Sequence, residues 1–387
     1  MNPHALSIGV VAPPWLPVPP AGYGGTELMV DALCNGLTRL GHEVTLFTLG
    51  ASTAPVERHW LFDHMDPDRM GAAVEELRHA LAAYDDLLDV DIIHDHTLAG
   101  MFVGPARSRV PIVTTMHGPF DEAMSDLYGR TSHRVPIVAI SHDQARRAPS
   151  DIEIATVIHH GLDLSRYRFS AHPDEHVLFL GRMSPNKGVE SAIDIARRAG
   201  RRLLIAARLR EPGERRYFNE VIEPLLGADV TYVGEANFDQ KLQLLSTATA
   251  LLNPIRWPEP FGLVMAEALA CGTPVVGGAI GAAPEIVDDG VTGFLANDVS
   301  ALVDGLAHID LISRERCRDA VADRFSADRM SADYVRFYRR VIGRSRSTWR
   351  KAGDQRRGGT AIRSWSRATT TSSNSVSASR PNSSASA

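Results

Sequence analysis

The chain has 387 residues, a net charge of -5, 44% apolar and 22% charged residues, which is more than one hydrophobic core usually serves and is ordinary for soluble globular protein. The acidic balance excludes a general attraction to nucleic acid or anionic membrane, although local basic patches stay open. Cys34, Cys271 and Cys317 are odd in number, far apart and never in a CxxC pair, so neither a disulfide framework nor a cysteine zinc site is expected and a reducing cytoplasm fits.

The chain starts without a basic n-region, and its first apolar run is too short for a signal peptide. No stretch reaches about 18 apolar residues, so no membrane span is expected. Short β-branched runs then alternate with helical patterns. Strands are predicted over 7–11, 44–47, 91–94, 112–115 and 137–140, with helices over 26–40 and 68–84. A second series follows, with strands over 177–180, 203–206, 230–233, 250–252 and 274–276 and helices starting at Lys187 and near 217–225. Strands this apolar on both faces belong to parallel sheets covered by helices. The expectation is an α/β protein of two tandem Rossmann-like, doubly wound units facing a central cleft that holds the ligand.

The first unit is placed at 1–165 and the second at 166–327, with the charged segment 161–174 as linker. A final amphipathic helix over 328–343 carries Met330, Tyr334, Val335, Tyr338 and Val341 on one stripe, and would pack back on the first unit. From Arg344 onward nine Arg or Lys face a single acid, Asp354, and the Ser/Thr-rich tail 344–387 is predicted disordered. Such a tail could touch anionic lipid or RNA, and a solvated extension is the simpler expectation.

In the first βα turn, Gly22-Tyr23-Gly24-Gly25-Thr26 directly precedes a helix. Gly24 and Gly25 would let backbone amides approach a ligand, and Thr26 could cap a helix whose N-terminus faces an anion. The turn is neither a GxGxxG fingerprint nor a Walker loop, and a tight turn without a ligand explains it equally well. Further on, His94-Asp95-His96, His117 and His159-His160 stand at strand ends. HxH alone lacks a third ligand, so no metal site is expected, and His117, beside the flexible Gly118, is the histidine expected to face the cleft. Ser141 is not in a Gly-x-Ser-x-Gly elbow and is not expected to be a nucleophile.

In the second unit, Gly181-Arg182-Met183-Ser184-Pro185-Asn186-Lys187-Gly188 follows a strand. Ser184 as N-cap and Lys187 in the first helical turn would set two cations at a positive helix end, where cations cost stability. An anion such as diphosphate, bridging Arg182 and Lys187, would account for them; ordinary surface charges are the alternative. Glu259 and Glu267 lie eight positions apart in Glu-Pro-Phe-Gly-Leu-Val-Met-Ala-Glu, a little over two helical turns, so both side chains are expected on nearly the same side. Glu267 sits among apolar residues, where a carboxylate needs a hydrogen-bond donor: a sugar diol, or an ordinary Arg or Lys partner. The small-residue loop 277–287 reads either as backbone approaching a ligand or as a plain turn before a helix.

Taken in order, these motifs resemble those of the retaining nucleotide-sugar glycosyltransferases of family 4, which have the GT-B fold. The matches are Gly-Gly-Thr-Glu at 24–27, Gly-His-Glu-Val at 41–44, Met-His-Gly at 116–118, Gly-Arg with Lys-Gly at 181–188, Glu-x7-Glu at 259–267, Pro-Glu-Ile-Val at 284–287 and Gly-Val-Thr-Gly-Phe at 290–294. They span roughly residues 6–342. The resemblance implies that Arg182 and Lys187 hold the donor diphosphate, assisted by the amides of Gly24 and Gly25. It implies that Glu267 accepts the ribose hydroxyls, and that Glu259 with the backbone at Phe261, Gly262 and Leu263 holds the transferred sugar. His117 would lie near that sugar. His117, Arg182, Lys187 and Glu259 are thus the implied catalytic set, with no metal and no cofactor beyond the nucleotide-sugar substrate.

Where many relatives have a glycine-containing turn, this chain has Ala206-Ala207-Arg208-Leu209-Arg210, which leaves the base of the nucleotide open. The acceptor, whether glycan, lipid-linked or small molecule, carries no readable code. A cytoplasmic location, free or peripheral at the inner face of the membrane, is expected, and no nucleic-acid partner. A phosphorylase or nucleotide-sugar epimerase of the same architecture, and a non-catalytic sugar-nucleotide-binding protein, are the competing expectations.

Overall fold

The structure, a computed structural model, describes residues 5–357. The described residues up to Gly343 form one compact unit, and those from Arg344 onward belong to a second. Within the first lie two parallel sheets. The first contains β1 (Ser7–Val11), β2 (Glu43–Thr48), β3 (Glu57–Trp60), β4 (Ile92–Asp95), β5 (Ile112–Thr115), β6 (Ile137–Ala139) and β7 (Ile154–Val157), in the order β3-β2-β1-β4-β5-β6-β7. The second contains β8 (His176–Arg182), β9 (Arg202–Arg208), β10 (Val230–Gly234), β11 (Leu251–Asn253), β12 (Val275–Gly278) and β13 (Gly293–Ala296), ordered β10-β9-β8-β11-β12-β13. In each sheet the order reverses beside the first strand, β1 or β8. In open α/β sheets such a reversal puts the crevice at the carboxyl ends of the strands.

The cores follow from the apolar patterning. Ile8, Val10, Ile92, Val113 and Val138 are sealed in the first sheet against Leu33 and Leu37 of the helix Gly25–Arg39. Leu178, Ile205, Leu251 and Val276 form the second core with Ile193 and Leu269. The chain crosses between the sheets along 158–175, and this segment is packed rather than loose: Leu162 bridges in parallel to Ser326, and Tyr167 is buried. The last helix begins at Ala327 and places Met330, Tyr334 and Tyr338 in the core of the first sheet. There the Tyr338 hydroxyl lies 2.6 Å from His94 Nδ1 and that of Tyr334 2.9 Å from Thr115 Oγ1.

Several local expectations are corrected. The helix expected over 68–84 is a single 3-10 turn, Pro67–Arg69, then the helix Ala73–Asp86. Gly71, at φ 86°, breaks the two apart. Thr26 is not the cap of its helix: the N-cap is Gly24 and no side chain bonds there. Strands β3, β7 and β13 are not among the expected elements: β3 is half-buried or exposed and has no apolar run, while β7 and β13 are only four residues long and mostly half-buried. The last helix does not end near 343: its backbone continues to Arg357, so helix replaces the expected disorder as far as that residue. The rest of the expected tail, 358–387, lies outside the described residues. No helix among the described residues is long and apolar enough to cross a membrane.

Candidate functional site

A cleft of about 680 Å³ opens between the carboxyl ends of the two sheets. All the residues named from the sequence line it: Gly24, Gly25 and His117 from the first half, and Arg182, Lys187, Glu259, Phe261, Gly262, Leu263 and Glu267 from the second. Local geometry differs from the expectation at two of them. Lys187 is not in the first turn of an α-helix. It closes a 3-10 turn, Pro185–Lys187, and Gly188 at φ 77° separates that turn from the helix Val189–Arg198. A Cβ on Gly188 would stand 2.0 Å from the Pro254 carbonyl oxygen, so this corner requires glycine both for its dihedral and for its space. Ser184 makes no capping bond and donates instead to Asn186 Oδ1 at 2.6 Å. Glu259 and Glu267 do not share one helix: the helix runs Leu263–Ala270 and carries only Glu267, while Glu259 precedes it in a loop.

The two carboxylates each meet a lysine. Lys187 Nζ pairs with Glu259 Oε1, and Lys241 Nζ with Glu267 Oε1. The Tyr167 hydroxyl also donates to Glu267 Oε1, at 3.1 Å. Lys187 further lies 5.7 Å from the ring centroid of Trp257. Two polar atoms here are buried without a partner among the described residues, Glu259 Oε2 and Trp257 Nε1. An unpaired buried acceptor costs about 1–3 kcal/mol, and a ligand hydroxyl would remove that cost. The Arg182 side chain makes no hydrogen bond or ion pair among the described residues, and Arg182 lines the same cleft.

Within the loop 277–287, which reads two ways in the sequence, residues 279–282 form a buttress. Gly281, at φ 64°, packs on the backbone of Glu259, where a Cβ would stand 2.5 Å from its nitrogen, and Ala282 N–H donates to the Glu259 carbonyl at 3.1 Å. Arg208 is buried and ion-paired to Glu211 at 2.6 Å and Glu214 at 3.0 Å. Its guanidinium lies 4.7 Å from the ring centroid of Tyr23, which belongs to the glycine turn of the other half.

The first half presents histidines. His96 Nδ1 and His117 Nε2 are 2.9 Å apart, and the His117 and His160 rings stack at 5.3 Å. Burial holds His117 down at about 4 and drives His94, His96 and His160 well below the usual imidazole range, so these rings are neutral at pH 7. Burial also pushes the carboxyl of Glu27, in the first turn of the helix Gly25–Arg39, up to about 7. A separate cluster joins the halves: the Glu285 carboxylate accepts from the backbone N–H groups of His142 at 2.8 Å and Asp143 at 2.6 Å, and pairs with His159 Nε2 at 2.7 Å. The ligand atoms of His142, His159 and Glu285 lie within 4.8 Å of one another. This group could hold an ion; its carboxylate is already engaged by three N–H groups and ties the halves together.

The sequence did not disclose Lys241, Trp257, His96, His160 or Glu27 as cleft residues. His96 and His160 did stand beside glycine or at strand ends, the signal that singled out His117. Lys241 lies in a helix of mixed polarity and gave none.

Two parallel sheets of doubly wound α/β type with a cleft at their carboxyl ends define the two-domain GT-B glycosyltransferases. Over 87% of this chain and 98% of the other, the structure matches AviGT4, a glycosyltransferase involved in avilamycin A biosynthesis, with TM-score 0.65 and 28% identity. Anabaena HepE, solved in complex with UDP and glucose, matches with TM-score 0.68 at 21% identity, over 86% of this chain and 99% of that one. Among curated proteins, the D-inositol 3-phosphate glycosyltransferase of Mycobacterium tuberculosis is 29% identical over 407 residues, covering 88% of this chain and 82% of its own length. Residues 23–166 match the sequence profile described as Glycosyltransferase Family 4 and residues 166–321 the one described as Glycosyl transferases group 1. The two matches together span most of the chain, which belongs to the family 4 glycosyltransferases.

Proposed function

We propose that this glycosyltransferase moves a hexosyl group from a nucleotide diphosphate sugar to an acceptor hydroxyl, with retention of anomeric configuration and without a metal. The observation that carries this reading is Arg182, free of ion pairs among the described residues, in one cleft with the Lys187–Glu259 pair and opposite the Gly24–Gly25 turn. Arg182 and Lys187 supply the positive charge that a departing diphosphate needs. As Lys187 turns to the diphosphate, Glu259 is left to accept hydroxyls of the sugar, for which its buried Oε2 already lacks a partner. Glu267, held at Oε1 by Tyr167 and Lys241, is the acceptor for the ribose diol. Phe261, Gly262 and Leu263 flank the sugar, and neutral His117 donates or accepts a hydrogen bond to it without adding charge.

In the transfer, the bond between the anomeric carbon and the diphosphate oxygen breaks with its electron pair leaving on the diphosphate. The acceptor oxygen then bonds to the anomeric carbon from the same face, and its proton passes to the departing phosphate. The UDP and glucose held by HepE make UDP-glucose the first donor to try.

The test is a thermal-shift series of the full chain with UDP-, GDP-, ADP- and dTDP-sugars, with and without EDTA, since a ligand bound only to the native state raises Tm. Stabilisation by one nucleotide series that survives EDTA is expected. A folded chain that none of them shifts, or one shifted only when a divalent metal is present, would overturn the reading.

A further inference from the structure

The two walls of the cleft differ in where their cations lie. Among the described residues, the Lys and Arg side chains that line it, Arg182, Lys187, Arg208 and Lys241, all come from the second half, beside Glu211, Glu235, Glu259 and Glu267. The wall from the first half contains Trp15, Leu16, Met70 and Leu98. Met70 is 45% exposed at the rim. The acidic groups on that wall are Glu27, whose carboxyl burial pushes up to about 7, and Glu76, which is occupied by the backbone N–H of Leu98 at 2.6 Å. Arg69, adjacent to Met70 in sequence, is paired with Glu75 and does not line the cleft. The remaining side-chain polar groups are the hydroxyls of Tyr23 and Thr26, the Trp15 indole and the neutral imidazoles of His96, His117 and His160. Two atoms among them, His96 Nε2 and His160 Nδ1, are buried with no partner among the described residues, while Nδ1 of His96 is engaged by His117.

A phosphate on the acceptor would bring about -1.5 to -2 charges to this wall, close to the donor diphosphate that already draws on the cations opposite. On this wall it would meet Glu27, Glu76 and neutral rings, with no Lys or Arg among the described residues and with the Gly24–Gly25 amides taken by the donor, so its desolvation would go uncompensated. An aliphatic or aryl surface would instead cover Trp15, Leu16, Met70 and Leu98, and one hydroxyl would satisfy His96 Nε2. We infer that the acceptor of this chain is uncharged, a glycoside or polyol carrying an apolar face, with a hydroxyl hydrogen-bonded to His96. The inference rests on the transfer reading above, with the acceptor held by the wall of the first half.

Matched pairs test it on the full chain: p-nitrophenyl glucoside against its 6-phosphate, and myo-inositol against D-inositol 3-phosphate. Each is titrated calorimetrically with the stabilising nucleoside diphosphate bound, and kcat/KM is measured with the matching nucleotide sugar. In both pairs the neutral member is expected to bind at least tenfold tighter and to have the larger kcat/KM. Equal or tighter binding of the phosphorylated member overturns the inference. So does binding of neither member while the nucleotide binds, an outcome that leaves the donor reading standing; failure of the nucleotide itself to bind brings down both. Met70→Lys, at an exposed position, adds a cation to the wall and is expected to narrow the ratio at least threefold; an unchanged ratio removes this wall as the acceptor side.

Discussion

The two halves repeat one architecture and face each other with opposite chemistry. The second half builds its wall from charge held in pairs, Lys187 with Glu259 and Lys241 with Glu267, with Arg208 between two glutamates. The first half builds its wall from a glycine turn, buried neutral histidines and apolar side chains. Paired charges can be re-partnered when an anion arrives, whereas neutral rings orient hydroxyls without competing for that anion. The same sheet order can therefore serve two ligand classes, because the strands fix only where their ends lie and the residues at those ends decide the chemistry.

The largest effect expected from breaking this contrast is on the charged wall. Lys187→Ala should lower kcat at least 100-fold, about 3 kcal/mol of transition-state stabilisation, while the circular dichroism spectrum stays native. It also leaves Glu259 unpaired and buried, so Tm should fall; adding Glu259→Gln should recover part of the Tm and none of the turnover. Near-normal transfer by Lys187→Ala would remove the diphosphate from this site.

Next in size, Gly281→Val forces a branched side chain into the Glu259 backbone and into a left-handed dihedral. A cost of about 2–4 kcal/mol in denaturant unfolding is expected, with weaker nucleotide-sugar binding. A variant as stable as the parent would show that the Glu259 loop needs no buttress.

The neutral wall is addressed by pH. His79 and His117 have folded values lowered to about 4, so between about pH 6.5 and 4 the unfolded chain binds more protons and stability falls as pH falls. His94, His96 and His160 act in the same direction. Glu27, raised to about 7, and Asp95, raised to about 6, oppose them, since the folded chain binds their protons first and gains stability as pH falls through those values. The histidines outnumber the acids, so Tm measured from pH 7 to pH 5 should drop, by about 2 kcal/mol of stability for His117 alone. His117→Asn should flatten that slope, and a Tm that rises toward pH 5 would contradict the neutral wall.

The smallest effect concerns the contact between the walls. Tyr23→Ala removes the ring facing Arg208, about 1 kcal/mol for a partly desolvated cation–π pair, and should raise the donor KM several-fold with kcat little changed. A kcat loss larger than the KM change would place Tyr23 nearer the chemistry than the ring contact does.

The alternation of β-branched runs with helical periodicity made both sheets legible, because a strand buried on two faces has no choice but to be apolar. Arg182, Lys187, Glu259 and Glu267 could be singled out because charged residues beside glycine and proline at strand ends, or inside an apolar helix, conflict with local preference. What local sequence did not contain was the partner of each group. Lys241 is 26 positions from Glu267 and Lys187 is 72 from Glu259, and nothing in either segment encodes the other. The turn of Lys187 departs from the expected helix for a related reason: Gly188 takes its left-handed form to pass the Pro254 carbonyl, a neighbour only in space.

The sequence by itself determined the tandem α/β architecture, the glycine turn and the positions where charge would gather, since those depend on periodicity and on residues within a few positions of each other. Only the tertiary structure decided which charges pair, that His96 and His160 join His117, that the last helix lays Tyr334 and Tyr338 into the first core, and that the Lys and Arg side chains lining the cleft gather on one wall. Those facts arise where strand ends from distant segments converge, and a carboxylate's partner or an imidazole's burial is set by that convergence.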